Sequence, residues 1–229
     1  MFIWDPTYIL VLIGALISAF ASLRVNTTFN RFAKMANARG MTAQDVAGMI
    51  LRNADIQDVR IEPIHGSLTD HYSPREKVLR LSDSVYNATS VAAIGVAAHE
   101  CGHAIQHKQG YAPLKLRTLS VPAANIGSML SWPLVIFGLI LGYAGLAQLG
   151  VWLFTFVVLF QLITLPVEFN ASRRALMILE NNGILRSEEM AGAKKVLTAA
   201  AMTYVAALFA SILQLLRLVI QAGGNRRRD

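Results

Sequence analysis

Charged side chains are scarce in this sequence. They make up 15% of its 229 residues, whereas a soluble globular domain usually carries about 25%. The scarcity is concentrated, because residues 118–167 contain no Asp, Glu, Lys, Arg or His. One membrane span needs about 20 apolar residues, so this stretch is long enough to cross a bilayer twice. The shortage of charge excludes an ordinary soluble domain and indicates a membrane protein.

Cysteine and acidic residues are also few. Cys101 is the single cysteine, which excludes an internal disulfide. The 14 Asp and Glu are outnumbered by 21 Lys and Arg, for a net charge of +7. No nucleic-acid-binding motif accompanies this positive charge, whereas basic residues commonly flank membrane spans. We therefore expect the lipid bilayer, and no nucleic acid, as a partner.

The uncharged stretches predict four transmembrane helices, at about residues 7–23, 119–142, 148–166 and 196–217. The two central spans separate near the glycines of residues 142–145, which suit a tight turn. A cleavable signal peptide is the alternative for the first stretch, but such peptides begin with basic residues. The first basic residue here, Arg24, follows the apolar run, which favours a retained anchor.

Two polar segments, residues 24–117 and 168–195, connect the spans. Alternating side chains predict short strands at residues 59–64 and 77–82, and the first is an edge strand because Pro63 cannot donate a hydrogen bond. Residues 65–74 read as loop, and Thr42 and Ser90 are predicted helix caps. The predicted fold is mainly α. It is a polytopic membrane protein with about four transmembrane helices, a helical domain formed by the polar segments and a small two-stranded sheet. Residues 1–229 are expected to form a single membrane-embedded domain.

One motif carries chemistry: residues 99–103 read His-Glu-Cys-Gly-His, an H-E-x-x-H pattern. On a helix, His99 and His103 share one face, so that both imidazoles can reach one metal ion. The polar segments are therefore expected to form a helical zincin-like metal domain. Zinc lowers the pKa of a bound water to about 7, and Glu100 would take the proton of that water. The alternative is two histidines packed on a helix face beside a solvated glutamate.

Two histidines do not complete a catalytic zinc site, which needs a third protein ligand. The metzincin pattern would place it six residues after His103, where Gln109 stands. His107 follows by one turn, but three ligands along one straight helix spread too far to meet one ion. A distant Asp, as site-2-type proteases use, leaves only Asp229 downstream of the motif. The remaining carboxylates are Glu168, Glu180, Glu188 and Glu189.

Glu168 differs from the other three, which stand near predicted helix ends. It follows the two-span hairpin, and an even number of crossings returns the chain to the side of His99 and His103. We predict Glu168 as the third ligand. Its alternative role is that of an interfacial glutamate paired with Arg173 or Arg174.

Three stretches resemble the YugP-like family of membrane zinc metallopeptidases. They are residues 98–106 (AHECGHAIQ), 68–72 (LTDHY) and 166–174 (PVEFNASRR), and the resemblance runs through nearly the whole chain. That family is similar in outline to the HtpX-like membrane proteases, in which a Glu after a transmembrane hairpin is the third zinc ligand. The resemblance implies a zinc peptidase that acts on peptides or proteins, including membrane proteins. It implies His99, His103 and Glu168 as zinc ligands and Glu100 as base.

Two details leave questions about the site. The HtpX-like proteases carry an Asp four residues after the ligand Glu, which supports a zinc-bound histidine, and Ser172 stands there instead. Either another group orients the histidine or the site is tuned differently. Separately, His71 or Tyr72 could donate to an oxyanion, with Asp70 orienting a histidine. The alternative is a loop that Asp70 caps and Tyr72 packs against.

The distribution of basic residues predicts the orientation. Residues 24–117 contain 12 Lys and Arg and residues 168–195 contain 5, so both polar segments are expected in the cytoplasm and the N-terminus outside. Four spans then leave Arg226, Arg227 and Arg228 outside, against the same rule. We expect an integral protein of a bacterial cell membrane with its site facing the cytoplasm.

Two other functional classes compete with a peptidase. A non-catalytic membrane metal-binding or scaffold protein would hold zinc structurally, but it has no need of a carboxylate such as Glu100 beside its first histidine. A transporter is expected to carry ionisable residues inside its spans, and here only Arg217 comes close.

Overall fold

The computed structural model describes residues 5–224 of the chain. Within that range it contains six helices and three strands. In chain order they are α1 (Tyr8–Phe32), α2 (Ala43–Asn53), β1 (Arg60–Ile64), β2 (His71–Ser73), β3 (Val78–Ser82), α3 (Val91–Lys108), α4 (Ala112–Ile140), α5 (Ala144–Asn181) and α6 (Ser187–Gly224).

Four of these helices, α1, α4, α5 and α6, are long and apolar enough to cross a membrane. The prediction of a mainly helical polytopic membrane protein is confirmed. The helices extend beyond the predicted spans, since α5 continues to Asn181 and α6 begins at Ser187. Charged residues end the apolar stretch but do not end the helix, because they are themselves good helix formers. The basic tail of residues 226–228 lies outside the described residues.

Residues 5–224 fall into two compact units. The membrane unit consists of residues 5–22, 116–165 and 203–224, and the metal unit consists of Leu23–Lys115 and Pro166–Met202. That the whole chain acts as a single membrane-embedded domain stays a prediction.

The membrane unit packs its helices through small residues. The turn between α4 and α5 contains Gly142 at φ +66°, a conformation that favours glycine. Beside this turn α4 and α5 touch so closely that a Cβ on Gly138 would lie 2.4 Å from the backbone nitrogen of Ala147. Arg217 is buried in α6, with its guanidinium 4.1 Å from the ring centre of Tyr8 and 5.4 Å from that of Trp132.

The sheet of the metal unit has three strands in the order β1-β3-β2, so the predicted two-stranded sheet is one strand short. β1 pairs with β3 in parallel, as an edge strand, and β2 pairs with β3 antiparallel. β2 lies within the predicted loop. It was not predicted as a strand because three residues are too few to show the alternation of side chains. It is held partly by Asp70, whose carboxylate accepts hydrogen bonds from Ser82 N at 2.7 Å and Ser82 Oγ at 3.0 Å.

The helix α3 begins and ends at the predicted signals. Ser90 Oγ accepts a hydrogen bond from Ala93 N at 3.2 Å, and Gly110 follows the helix at φ +65°. Most of α3 is buried in the core of the metal unit. Cys101 packs there with its thiol 3.7 Å from Ala47 O, and burial raises the pKa of that thiol. Cys101 is therefore a core residue of the metal helix.

Candidate metal centre

A backbone contact between α3 and α5 builds the site. A Cβ on Gly102 would lie 2.7 Å from the carbonyl oxygen of Ala171 and 3.2 Å from its Cα, so only glycine allows this approach. Gly102 stands between the two histidines of the motif, and Ala171 follows Glu168 by about one turn. The contact thus brings the carboxylate of Glu168 against the imidazoles of His99 and His103.

His99, His103 and Glu168 are positioned to hold a metal ion. Glu168 Oε2 lies 3.3 Å from His99 Nε2 and 3.6 Å from His103 Nε2. In a tetrahedral zinc site with ligands about 2.0–2.1 Å from the ion, the donor atoms are about 3.3 Å apart. The observed separations match that spacing, and two imidazoles with one carboxylate form a known catalytic zinc ligand set.

The three side chains are largely shielded from solvent, with 14%, 10% and 2% of the side chain exposed for His99, His103 and Glu168. Burial lowers the pKa of His103, but the carboxylates of Glu168 and Glu100 outweigh it, and the pKa lies above its ordinary value. The negative field that favours a proton on this ring equally favours a metal cation. The residues present therefore fit a zinc ion.

Each histidine uses its second ring nitrogen for a neutral partner. His99 Nδ1 lies 3.1 Å from Ser172 Oγ, and His103 Nδ1 lies 3.0 Å from Gln106 Oε1. Ser172 stands where the HtpX-like pattern has an Asp, and it contacts His99 from that position. Gln106 was missed by the sequence analysis, although it stands three residues after His103, where side chains of a helix meet.

Glu100 lies on α3 next to His99 and is buried. Its charge is close enough to contribute to raising the pKa of Asp70, although burial is the main cause of that rise. Glu100 therefore lies on a buried side of α3. Its role as a base stays a prediction.

The candidates around β2 have hydrogen-bond partners other than His99, His103 and Glu168. His71 Nδ1 donates to Thr69 O at 2.9 Å, and its Nε2 lies 3.5 Å from a guanidinium nitrogen of Arg80. The hydroxyl of Tyr72 bonds to His107 Nδ1 at 2.8 Å. His107 is thereby engaged away from the trio, consistent with its rejection as a ligand.

The other carboxylates considered as third ligands lie elsewhere. Glu180 is exposed on α5. Glu189 accepts hydrogen bonds from the backbone nitrogens of Ala38 and Arg186, both at 2.7 Å, and Glu188 lies beside it in the first turn of α6. The interfacial pairing proposed for Glu168 is not the contact seen for Arg174, whose guanidinium binds Asn170 and Gln109.

Comparisons with known proteins agree with this geometry. Residues 7–223 match the family described as "Putative neutral zinc metallopeptidase". The chain is 45% identical over 214 residues to "Putative membrane protease YugP" of Bacillus subtilis (strain 168), an alignment that covers 93% of this chain and 95% of that protein. No solved structure matches the chain.

Proposed function

The chain belongs to the family of neutral zinc metallopeptidases. From that premise we propose that it is a membrane-embedded enzyme that hydrolyses peptide bonds. His99, His103 and Glu168 are the proposed zinc ligands, and Glu100 is the proposed general base. The observation that supports the proposal most is the convergence of both imidazole Nε2 atoms on one carboxylate oxygen, next to a buried glutamate.

The proposed reaction divides the work between the metal and the chain. A zinc ion held by His99, His103 and Glu168 would supply Lewis acidity, which at such sites lowers the pKa of water to about 7. The carboxylate of Glu100 takes a proton from the attacking water as the new carbon–oxygen bond forms. It then delivers that proton to the amide nitrogen, so that the amine leaves when the carbon–nitrogen bond breaks.

Tyr72 is the better of the two candidate oxyanion donors. Burial raises the pKa of Tyr72 to about 12, with a smaller contribution from Asp58, so its hydroxyl stays a neutral donor across the physiological range. His71 donates its Nδ1 hydrogen to Thr69 O and has Arg80 at Nε2, so it would have to break a contact to donate. The Tyr72 hydroxyl keeps its hydrogen available when His107 Nδ1 is the donor in their bond.

The edge strand β2 is the proposed place for an extended substrate. The central strand β3 offers no free edge to a peptide, because it already has a partner strand on each side. β2 lies at the sheet edge, and its Tyr72 lines a cleft of about 500 Å³ together with Ala104 and His107 of the metal helix. Main-chain hydrogen bonds to such an edge bind peptides with little dependence on their sequence.

A peptidase assay on Glu100→Gln tests the proposal against a non-catalytic metal-binding or scaffold protein. The amide keeps the shape of the side chain and removes the base. We expect the detergent-purified variant to hold zinc as the wild type does and to lose cleavage of casein. Cleavage at the wild-type rate would exclude Glu100 as base, and a wild type with zinc but without cleavage would favour the scaffold.

We also propose that the metal unit faces the cytoplasm, on the charge distribution alone. Ser67→Cys in the exposed loop before β2 should resist an impermeant maleimide in intact cells, and Gly145→Cys beside the α4–α5 turn should react. Cys101 is buried and serves as the unreactive background. The reverse labelling pattern would invert the orientation.

A further inference from the structure

We propose that Gln106 is a positioning residue that holds His103 in the one tautomer able to offer Nε2 to a metal ion. Gln106 is fully buried and its side chain makes three hydrogen bonds. Oε1 meets His103 Nδ1 at 3.0 Å, and Nε2 donates to Val167 O and to Asn170 Oδ1, each at 2.9 Å. The inference rests on the proposed zinc site and concerns how the chain prepares it.

The orientation of the Gln106 amide follows from its partners. Val167 O is a backbone carbonyl and can only accept, so it must face the NH₂ group of the amide. Asn170 Oδ1 also faces Arg174 Nε at 2.7 Å, and since a guanidinium only donates, this Asn170 atom is an acceptor too. Both partners therefore require Gln106 Nε2 on their side.

The fixed amide then determines the protonation of His103. With Nε2 turned to Val167 and Asn170, the Gln106 atom that meets the imidazole is Oε1, which can only accept. His103 Nδ1 must therefore carry the hydrogen, and the neutral ring has its lone pair on Nε2. That is the nitrogen that points at Glu168 Oε2, so the tautomer suits metal binding without rearrangement.

The same side chain connects two ligands that are far apart in sequence. Val167 precedes Glu168 directly, so the hydrogen bond from Gln106 to Val167 O ties His103 to the turn of α5 that carries the third ligand. His99 lacks such a fixed partner. Its neighbour Ser172 has a hydroxyl that rotates and can donate or accept, so it does not select a tautomer.

Two readouts on folded protein test this role, namely zinc affinity and the visible spectrum with cobalt(II). Thermal stability of the metal-free protein shows that each variant is folded. Gln106→Met keeps the volume and loses the amide. We expect it to bind zinc about 10–100-fold more weakly than the wild type and to show an altered visible spectrum with cobalt(II). Gln44→Met is the matched control. Gln44 belongs to α2 of the same unit, donates to Asn87 Oδ1 at 3.0 Å, and its replacement should leave both readouts unchanged.

Gln106→Glu keeps one oxygen that accepts from His103 Nδ1, and its other oxygen, when protonated, donates to Val167 O or Asn170 Oδ1 in place of the amide. We expect its zinc affinity to lie within about tenfold of the wild type. Wild-type affinity and an unchanged cobalt spectrum in Gln106→Met would overturn the inference. If Gln106→Met does not fold, a loss beyond tenfold in folded Gln106→Glu would overturn it. Neither readout depends on hydrolysis, so an inactive wild type would defeat the proposed peptidase and leave this inference standing.

Discussion

The two units of this protein use one packing device for different ends. In the metal unit, Gly102 lets α3 touch α5 at Ala171, and in the membrane unit, Gly138 lets α4 touch α5 at Ala147. Both contacts leave no room for a Cβ. The first brings together three side chains that are positioned to hold a metal ion, whereas the second joins apolar helices beside a turn.

The same kind of glycine contact has different consequences in the two units. A close helix contact contributes to packing in both units, and in the metal unit it also sets the spacing of side chains that are positioned to hold a metal ion. Distances between ligand atoms must match a metal to within tenths of an ångström. A displacement of the helices that the membrane unit tolerates should therefore lower the zinc affinity when it occurs at the site. Substitutions in the two units should therefore differ in their effect on zinc more than in their effect on stability.

The largest effect is expected for Glu168. Glu168→Ala removes one of three proposed ligands and should weaken zinc binding by more than about 100-fold. Glu180→Ala removes an exposed carboxylate from the same helix and should change nothing. Zinc content of the two variants purified in parallel measures the difference, and zinc retained in the first but lost in the second would move the ligand to Glu180.

Gly102→Ala should affect both zinc and stability. The added Cβ meets backbone at Ala171 and must push α5 from α3, which displaces Glu168. We expect zinc affinity to fall by about tenfold or more and stability by about 1–3 kcal/mol. Gly95→Ala is the control on α3, because its Cβ would make an ordinary 3.5 Å contact with Ala193. Wild-type zinc affinity in Gly102→Ala would show that this contact does not set the ligand spacing.

Gly138→Ala should lower stability without weakening zinc binding. Its Cβ would lie 2.4 Å from Ala147 N, and the overpacking should cost about 1–3 kcal/mol. The control is Gly223→Ala in α6, where a Cβ would have no heavy atom within 4 Å. Thermal unfolding and zinc titration of the folded fraction measure both quantities. A loss of zinc affinity as large as in Gly102→Ala would contradict the contrast between the units.

The smallest effect is expected for Ser172→Ala. Its hydroxyl contacts His99 Nδ1 but does not select a tautomer, so we expect zinc to bind less than about tenfold more weakly. Zinc competition titration against Gln106→Met provides the measure. A loss greater than that of Gln106→Met would make Ser172 the dominant support of the site.

Local signals predicted much of the metal helix. Ser90, Gly110 and the H-E-x-x-H spacing act over a few residues, and the structure confirms the helix that they define. The position of Glu168 followed from the parity of membrane crossings and from the family resemblance, and the structure brings it to both histidines. The catalytic role of Glu100 stays a prediction.

Features that depend on distant contacts were not predictable in the same way. Gln106 acquires its role from Val167 and Asn170, 61 and 64 residues along the chain, and Gly102 acquires its role from Ala171. β2 was read as loop because its pairing with β3, rather than its own sequence, makes it a strand. The helices run beyond the predicted spans because polar residues continue them.

Zinc K-edge X-ray absorption of the purified protein tests the central claim most directly. The ligand set of His99, His103 and Glu168 predicts nitrogen and oxygen neighbours at about 2.0–2.1 Å, with two imidazoles in the outer-shell pattern. It predicts no sulfur neighbour, because the one thiol, Cys101, is buried against Ala47. A sulfur at about 2.3 Å, or a spectrum unchanged by Glu168→Ala, would contradict the site.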